Sequence, residues 1–254
     1  MAVNRFNYFS ENNNRKYCGS SQFKSFLKCP AQAMAELRGE WKREETTSLL
    51  VGSYVDSWFE GTLDTFKEAH PDVFKKDGTL KAEYAKAEEI IARVSRDELF
   101  MRYMGGQKQA VRTGLICGVP FKIKMDSYHK GKAIVDLKVI KDFEPIWNEE
   151  RGIRQSFIEY WGYDFQAAIY QAVEGEKLPF YICAVTKEAN PDFEVIQIPQ
   201  TWIDSAMAII KNEIDIIDAY KRGEIEAPRC GKCAYCRETK KLSRVISADE
   251  FLVS

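Results

Sequence analysis

Three residues near the middle of the chain have the types and spacing for phosphoryl-transfer chemistry. Asp126 stands ten residues before the triplet Asp136-Leu137-Lys138, which closes an apolar run in MDSYHKGKAIVDLK. On a β-strand, residues two apart share a face, so Asp136 and Lys138 point together while Val135, Leu137 and Val139 point the other way. Upstream, Val119 to Tyr128 (VPFKIKMDSY) also reads as a strand, and Lys130-Gly131 supplies turn chemistry, so the two segments form a hairpin. A three-residue turn at Lys130 to Lys132 pairs Asp126 with Asp136, whereas a two-residue turn sends them to opposite faces. The chemistry requires the first. Two carboxylates on one face suit a hard cation such as Mg²⁺, which completes its octahedron with water and substrate phosphate. Such an ion lowers the pKa of water and offsets charge on the phosphorus, and Lys138 can orient the attacking water or neutralise a non-bridging oxygen. A lone D-x-K on a strand also reads as a solvated edge carrying a weak surface ion pair.

The elements around these residues must hold them in place. With 254 residues, 45% hydrophobic and 13% aromatic, the chain can bury a full core as one large domain or a domain plus appendage. No run approaches a membrane span, and MAVNRFNYFSENNNRKY lacks an apolar signal region, so the expected location is the cytoplasm. The 37 basic and 38 acidic residues leave a formal net charge of -1, so any nucleic-acid path must be a local patch rather than a bulk field.

Ser20 or Ser21 can cap a helix running to about Arg38, and Thr46 or Thr47 can cap a long apolar helix, SLLVGSYVDSWFEGTLDTFKEA. Leu80 to Met104 continues helical with a break. Period-two patterning then gives a three-stranded meander over Gln107 to Ile116, Val119 to Tyr128 and Ala133 to Ile140. Ile153 to Glu174 reads as helix, Leu178 to Lys187 and Phe193 to Ile198 as strands, and Thr201 to Lys221 as helix. The fold class is α/β, a mixed central β-sheet flanked by helices on both sides. The expected division is a domain over 1–222 and a short, basic, cysteine-rich appendage over 223–254 that packs back on the N-terminal helix.

Asp126, then Asp136-Leu137-Lys138, then Gln166-Ala167-Ala168-Ile169-Tyr170 together resemble the PD-(D/E)XK nuclease superfamily with its restriction-endonuclease-like core. The Q-x-x-x-Y element is similar to that of the RecB-like branch, and above all to the phage and prophage RecE-like exonucleases of the exodeoxyribonuclease VIII type. The resemblance covers roughly Ser20 to Cys236. It implies that Asp126 and Asp136 bind metal, that the Leu137 carbonyl is a further ligand, that Lys138 is the catalytic lysine, and that Gln166 and Tyr170 line the site. Residues four apart share a helical face, which by itself lets Gln166 and Tyr170 reach one substrate. Relatives commonly show G-x-x-x-H in the first long helix, and Gly52-Ser53-Tyr54-Val55-Asp56 puts Asp56 in the histidine position. Oxygen in place of nitrogen there favours Mg²⁺ or Ca²⁺-like hard ions over softer ones.

Seven cysteines in a cytoplasmic chain are read by spacing rather than as disulfides. Cys230, Cys233 and Cys236 form C-x2-C-x2-C and need a fourth ligand. FLKCPAQAM resembles the N-terminal Cys-Pro element of AddB-type and CRISPR-adaptation nucleases, and that resemblance makes Cys29 the fourth ligand of a [4Fe-4S] cluster. Zn²⁺ is the alternative, with Cys18 the substitute ligand. Cys117 and Cys183 read as small buried hydrophobes, and His70 and His129 as surface residues. Arg229, Lys232, Arg237, Lys240, Lys241 and Arg244 form the densest basic cluster and can grip phosphates.

The resemblance implies a Mg²⁺- or Mn²⁺-dependent exonuclease digesting linear duplex DNA 5′ to 3′ in phage-type recombination. It also implies a RecT-like single-strand annealing partner and a homo-oligomer as in some relatives. The alternatives are a non-catalytic nucleic-acid-binding module held by its metal cluster, and a CRISPR-adaptation-like enzyme trimming single strands.

Overall fold

Strand β3 (Ala133–Ile140) is covered on both faces, and the other elements are laid around it. The computed structural model describes residues 2–249, so the last five residues of the expected appendage lie outside the described residues. Strands β1 (Gln107–Ile116), β2 (Val119–His129) and β3 form the expected antiparallel meander. Strand β6 (Phe180–Thr186) then joins β3 in parallel, and β7 (Phe193–Gln197) pairs antiparallel with β6. The order β1-β2-β3-β6-β7 makes a mixed five-stranded sheet. A parallel neighbour needs a crossover. The chain from β3 to β6 supplies it with a hairpin, β4 (Ile146–Asn148) and β5 (Ile153–Gln155), then helices α8 (Phe157–Tyr160) and α9 (Tyr163–Glu174).

Alternation along β3 splits the interior into two cores. Ile134 and Ile140 face a cluster shared with α2 (Ser20–Lys28), α3 (Pro30–Arg38), α9 and α10 (Gln200–Arg222), where Phe23, Met34, Ile169 and Ile210 are buried. Val135 and Leu137 face a second cluster with Val55 and Phe59 of α4 (Thr47–Glu60), Ile90 and Val94 of α6 (Lys86–Val94) and Phe100 of α7 (Glu98–Tyr103). A strand buried on both faces is the environment of parallel sheets. Asp136 and Lys138 share the first face and are polar interruptions in it.

Several boundaries differ from the sequence expectation for local reasons. The helix expected over residues 20–38 is two helices, because Pro30 cannot continue the first one and Cys29 is extended (φ −159°, ψ 98°). The long helix after Thr46 stops at Gly61, whose φ of 72° ends α4, and resumes as α5 (Leu63–Ala69). Ile153–Gln155 is a strand rather than helix, and Ser156 opens α8 with a capping box to Glu159. Leu80 to Met104 holds only α6 and α7 as α-helix, and Glu11–Lys16 adds an unexpected short helix, α1. Cys117 is exposed at the β1–β2 turn with φ 50°, so it is no core residue, whereas Cys183 is fully buried.

One close approach pins the start of the meander. Gly106 N–H donates to Ser127 Oγ at 2.8 Å, and that hydroxyl donates to Tyr103 O at 2.8 Å. A Cβ on Gly106 would lie 2.7 Å from Ser127 Oγ and 2.8 Å from Tyr128 O. Gly106→Ala should therefore lower stability by roughly 1–3 kcal/mol in a denaturant melt, and an unchanged midpoint would show that this contact does not fix the strand beside Asp126.

Candidate active site

The β2–β3 ladder has three pairs, Ser127 with Val135, Tyr128 with Ile134 and His129 with Ala133. This is the register of a three-residue turn, and its next step places Asp126 opposite Asp136. There the strands part. Leu137 N–H donates instead to the side chain of Asp126, with Oδ2 at 3.0 Å. Asp126 is also skipped on its other side: β1 pairs with β2 from Gln107–Tyr128 to Ile116–Val119 except at Gln109, whose φ of 52° is left-handed. That conformation costs an L residue roughly 1–3 kcal/mol and clusters at functional sites. Because N–H and C=O of one strand residue point to the same side, the Leu137 carbonyl also faces this opening.

Three other elements complete the floor. Gln166 of α9 donates from Nε2 to Asp136 Oδ1 at 2.6 Å. Asp136 Oδ2 faces the Lys138 ammonium in an ion pair yet accepts no well-directed hydrogen bond. Tyr163, also on α9, lies under that ammonium, with Nζ 4.9 Å from the ring centre. Asp56 projects from α4 into the same space. Tyr170, one helical turn beyond Gln166, is 5% exposed and donates its hydroxyl to Lys124 O at 2.9 Å, so it holds β2 in place rather than aiming that hydroxyl at the cleft. At Gly52 a Cβ would meet Val139 at an ordinary 3.9 Å, so its lack of a side chain is not a steric necessity.

The cleft above this floor has a volume of about 660 Å³, and Asp56, Asp126, Asp136, Lys138, Gln166 and Tyr170 all line it. Its walls include residues that sequence reasoning did not single out. Glu60 pairs with Lys124 at 3.6 Å. Lys122 Nζ donates to Tyr8 O and, at 2.6 Å, to Asn14 Oδ1. Lys24 donates to Trp161 O at 3.0 Å and lies 5.0 Å from the centre of the Tyr163 ring, and Arg43 pairs with Glu36. Part of this was visible: Lys122, Lys124 and Asp126 alternate with buried Phe121, Ile123 and Met125, and Glu60 lies one turn beyond Asp56. Lys24 and Tyr8 arrive from distant segments and carry no local signal. The basic residues expected to contact DNA, Arg229, Lys232, Arg237, Lys240 and Lys241, do not line this cleft; Arg229 instead donates to Cys236 O at 3.0 Å.

The electrostatics show a shortage of positive charge. Burial first, then Asp136 and Asp56, push the Asp126 carboxyl well above the ordinary range. Burial likewise pushes Asp56 up to about 7, with Lys138 drawing it down and Asp136 and Glu60 driving it up. Burial opposes the Lys138 charge more than any one neighbour favours it, but Asp136, Tyr163 and Asp126 together outweigh burial, so its pKa is raised. Burial, with help from Lys138, lowers Lys24 to about 8. Three carboxylates answered chiefly by one ammonium are a donor set that fits a hard divalent cation, and Asp56, Asp126, Asp136 and the Leu137 carbonyl could hold it.

Away from this floor, Cys29, Cys230, Cys233 and Cys236 place their sulfurs within 4.8 Å of one another, a set able to bind a metal. Cys18 is fully buried and outside the set, with its backbone bridged to Phe121. Tyr103 O lies 2.7 Å from His129 Nε2. No helix among the described residues is long and apolar enough to cross a membrane.

Residues 19–239 match the family described as "PDDEXK-like domain of unknown function (DUF3799)". Among solved structures, the chain is similar to that of a presumed exonuclease from Eubacterium rectale. The two are 43% identical with a TM-score of 0.92, over 99% of this chain and 98% of that one. No curated protein matches the chain significantly.

The raised carboxyls tie stability to pH. Asp56 moves from an ordinary 3.8 to about 7 on folding, so between those values the folded protein holds more protons than the unfolded chain. Stability then falls as pH rises through that window. In Mg²⁺-free buffer the wild type should lose more stability between pH 5 and 7.5 than Asp56→Asn, and added Mg²⁺ should raise the wild-type Tm more at pH 7.5 than at pH 5. Parallel pH profiles for the two proteins would rule out this assignment of Asp56.

Proposed function

We propose that this chain, which belongs to the DUF3799 family of PDDEXK-like domains, is a divalent-metal-dependent exodeoxyribonuclease. The observation that carries the reading is the parting of β2 from β3 at Asp126, which leaves Asp126, Asp136 and Lys138 around one opening on a cleft floor. The Eubacterium rectale neighbour supports the exonuclease class.

In this reading Asp56, Asp126, Asp136 and the Leu137 carbonyl would hold Mg²⁺ or Mn²⁺. When bound, the ion would make a water more acidic and offset charge on the phosphate. The remaining steps fall to side chains. Lys138, kept protonated by Asp136 and resting on Tyr163, orients the attacking water or neutralises a non-bridging phosphate oxygen. Gln166 fixes the rotamer of Asp136, and Tyr170 fixes β2 through Lys124 O. Lys24 and Arg43 on the cleft wall suit a polyanion entering from above.

We carry over from the resemblance the finer reading: 5′-to-3′ digestion of linear duplex DNA in phage-type recombination, in the bacterial host cytoplasm and beside a RecT-like annealing protein. The same resemblance gives the four cysteines a [4Fe-4S] cluster.

End-labelled linear duplex DNA with Mg²⁺ or Mn²⁺ tests the whole. Shortening should require the metal, and Asp136→Ala and Lys138→Ala should each slow it by about a hundredfold or more while leaving the thermal melt cooperative. Early release of a 5′ rather than a 3′ label reports polarity. Wild-type-like cleavage by either variant removes this site, and metal-independent retention of DNA without shortening points to a binding module.

A further inference from the structure

The spacing of the four cysteine sulfurs decides what they can surround. Cys29 Sγ lies 3.6 Å from Cys236 Sγ, Cys230 Sγ lies 3.9 Å from Cys236 Sγ, and all four sulfurs fall within 4.8 Å of one another. With Zn–S bonds of about 2.3 Å, the edge of a tetrahedron around a single ion is about 3.8 Å. A [4Fe-4S] cubane is a different container. Each of its four cysteines binds its own iron at a corner, with irons and sulfides filling the middle, so the thiolates must stand well apart. Sulfurs this close leave no room for that core. They are also too far apart to be bonded, since a disulfide spans about 2.05 Å.

We propose that Cys29, Cys230, Cys233 and Cys236 bind a single tetrahedral Zn²⁺, in place of the iron–sulfur cluster that the resemblance implies. Four protein ligands close the coordination sphere, which is the mark of a structural rather than catalytic site. Backbone geometry prepares it: Gln32, Cys233 and Cys236 N–H donate to the sulfurs of Cys29, Cys230 and Cys233 respectively, each at 3.4 Å. These bonds stabilise the thiolates and orient them, as outer-shell partners do. Among divalent ions for which a thiolate tetrahedron has affinity, Zn²⁺ binds more tightly than Fe²⁺.

The ion has a structural task set by where Cys29 sits. It caps α3 at the break between α2 and α3, the two helices that carry Lys24, Ser25, Glu36 and Leu37 of the cleft wall. Around it, Ala31 N–H donates to Pro228 O at 3.1 Å, and Trp41 packs edge-on to Tyr235 with ring centres 5.5 Å apart. Zn²⁺ therefore fastens the segment after α10 to the hinge of the wall, and this holds whether or not the cleft is a nuclease site.

The test is elemental and optical analysis of the full chain, purified without oxygen from cells supplied with both iron and zinc. About one zinc per chain, no acid-labile sulfide and a colourless protein are expected, and Co²⁺ exchanged for zinc should give the visible bands of a tetrahedral thiolate site. Cys236→Ser should lose the metal, while Cys117→Ser, at the remote β1–β2 turn, should keep it. A brown protein with iron and sulfide, or a metal-free one with all seven thiols titrating, overturns the proposal. Both readings are made on wild type, so a misfolded variant does not obscure them.

Discussion

A single backbone N–H, that of Leu137, is satisfied by a side chain where a strand would ordinarily supply the acceptor. Buried backbone donors must be paired, and in a meander the neighbouring strand usually does it. Here Asp126 takes that role with its carboxylate. The substitution lets β2 leave β3 after three pairs without exposing an orphaned donor, and it turns a continuous sheet into a sheet with a mouth. The left-handed Gln109 on the far side of β2 releases the same residue from β1. Asp126 is thereby freed from both ladders at the one position where its carboxylate can meet Asp136.

That opening would be unfavourable if left as bare charge. Burial first, and then the crowding of three carboxylates, disfavours the ionised forms of Asp126 and Asp56. The protein answers with Lys138 on the same strand face as Asp136, and with Gln166, which donates to the oxygen of Asp136 that Lys138 does not take. Both partners are donors, and they hold the Asp136 carboxyl in one orientation. At Asp56 burial is the largest cause of the rise, and Asp136 and Glu60 add to it against the pull of Lys138 and Lys124. One oxygen of Asp136 still lacks a directed hydrogen bond, and a hard cation at the proposed site would supply the missing positive charge.

How much of this was legible follows from which contacts are local. The D…D-L-K hairpin could be read because strand period and turn length together fix register, and the three-residue turn put Asp126 opposite Asp136 as counted. Gln166 and Tyr170 share a helical face by spacing alone, but only the folded structure separates their contacts, one on Asp136 and the other on the Lys124 carbonyl. Helix ends were misjudged where a single residue overrode a long apolar pattern, Pro30 between α2 and α3 and Gly61 after α4. The cleft wall was the least legible. Basic residues clustered in sequence near the C-terminus attracted attention, whereas the cations that line the cleft are scattered over Lys24, Arg43, Lys122 and Lys124 and meet only through the fold.

The same non-locality explains why nearly the whole chain is bound up with the site. Lys122 on β2 is held by Tyr8 and Asn14, Lys221 near the end of α10 donates to Tyr17 O at 3.0 Å and Gln22 Oε1 at 2.9 Å, and Cys29 lies 3.6 Å from Cys236. Each contact joins segments more than a hundred residues apart. Together with the Cys18–Phe121 backbone bridge and the Lys24–Trp161 hydrogen bond, they brace the N-terminal segment, α2 and α3, which add no strand to the sheet. Apolar burial is non-directional and tolerates sliding, while a lysine with several acceptors or a four-sulfur site fixes position. A carboxylate floor set by strand register therefore needs a wall set by long-range polar ties, because register alone says nothing about where the opposite side of the cleft will stand.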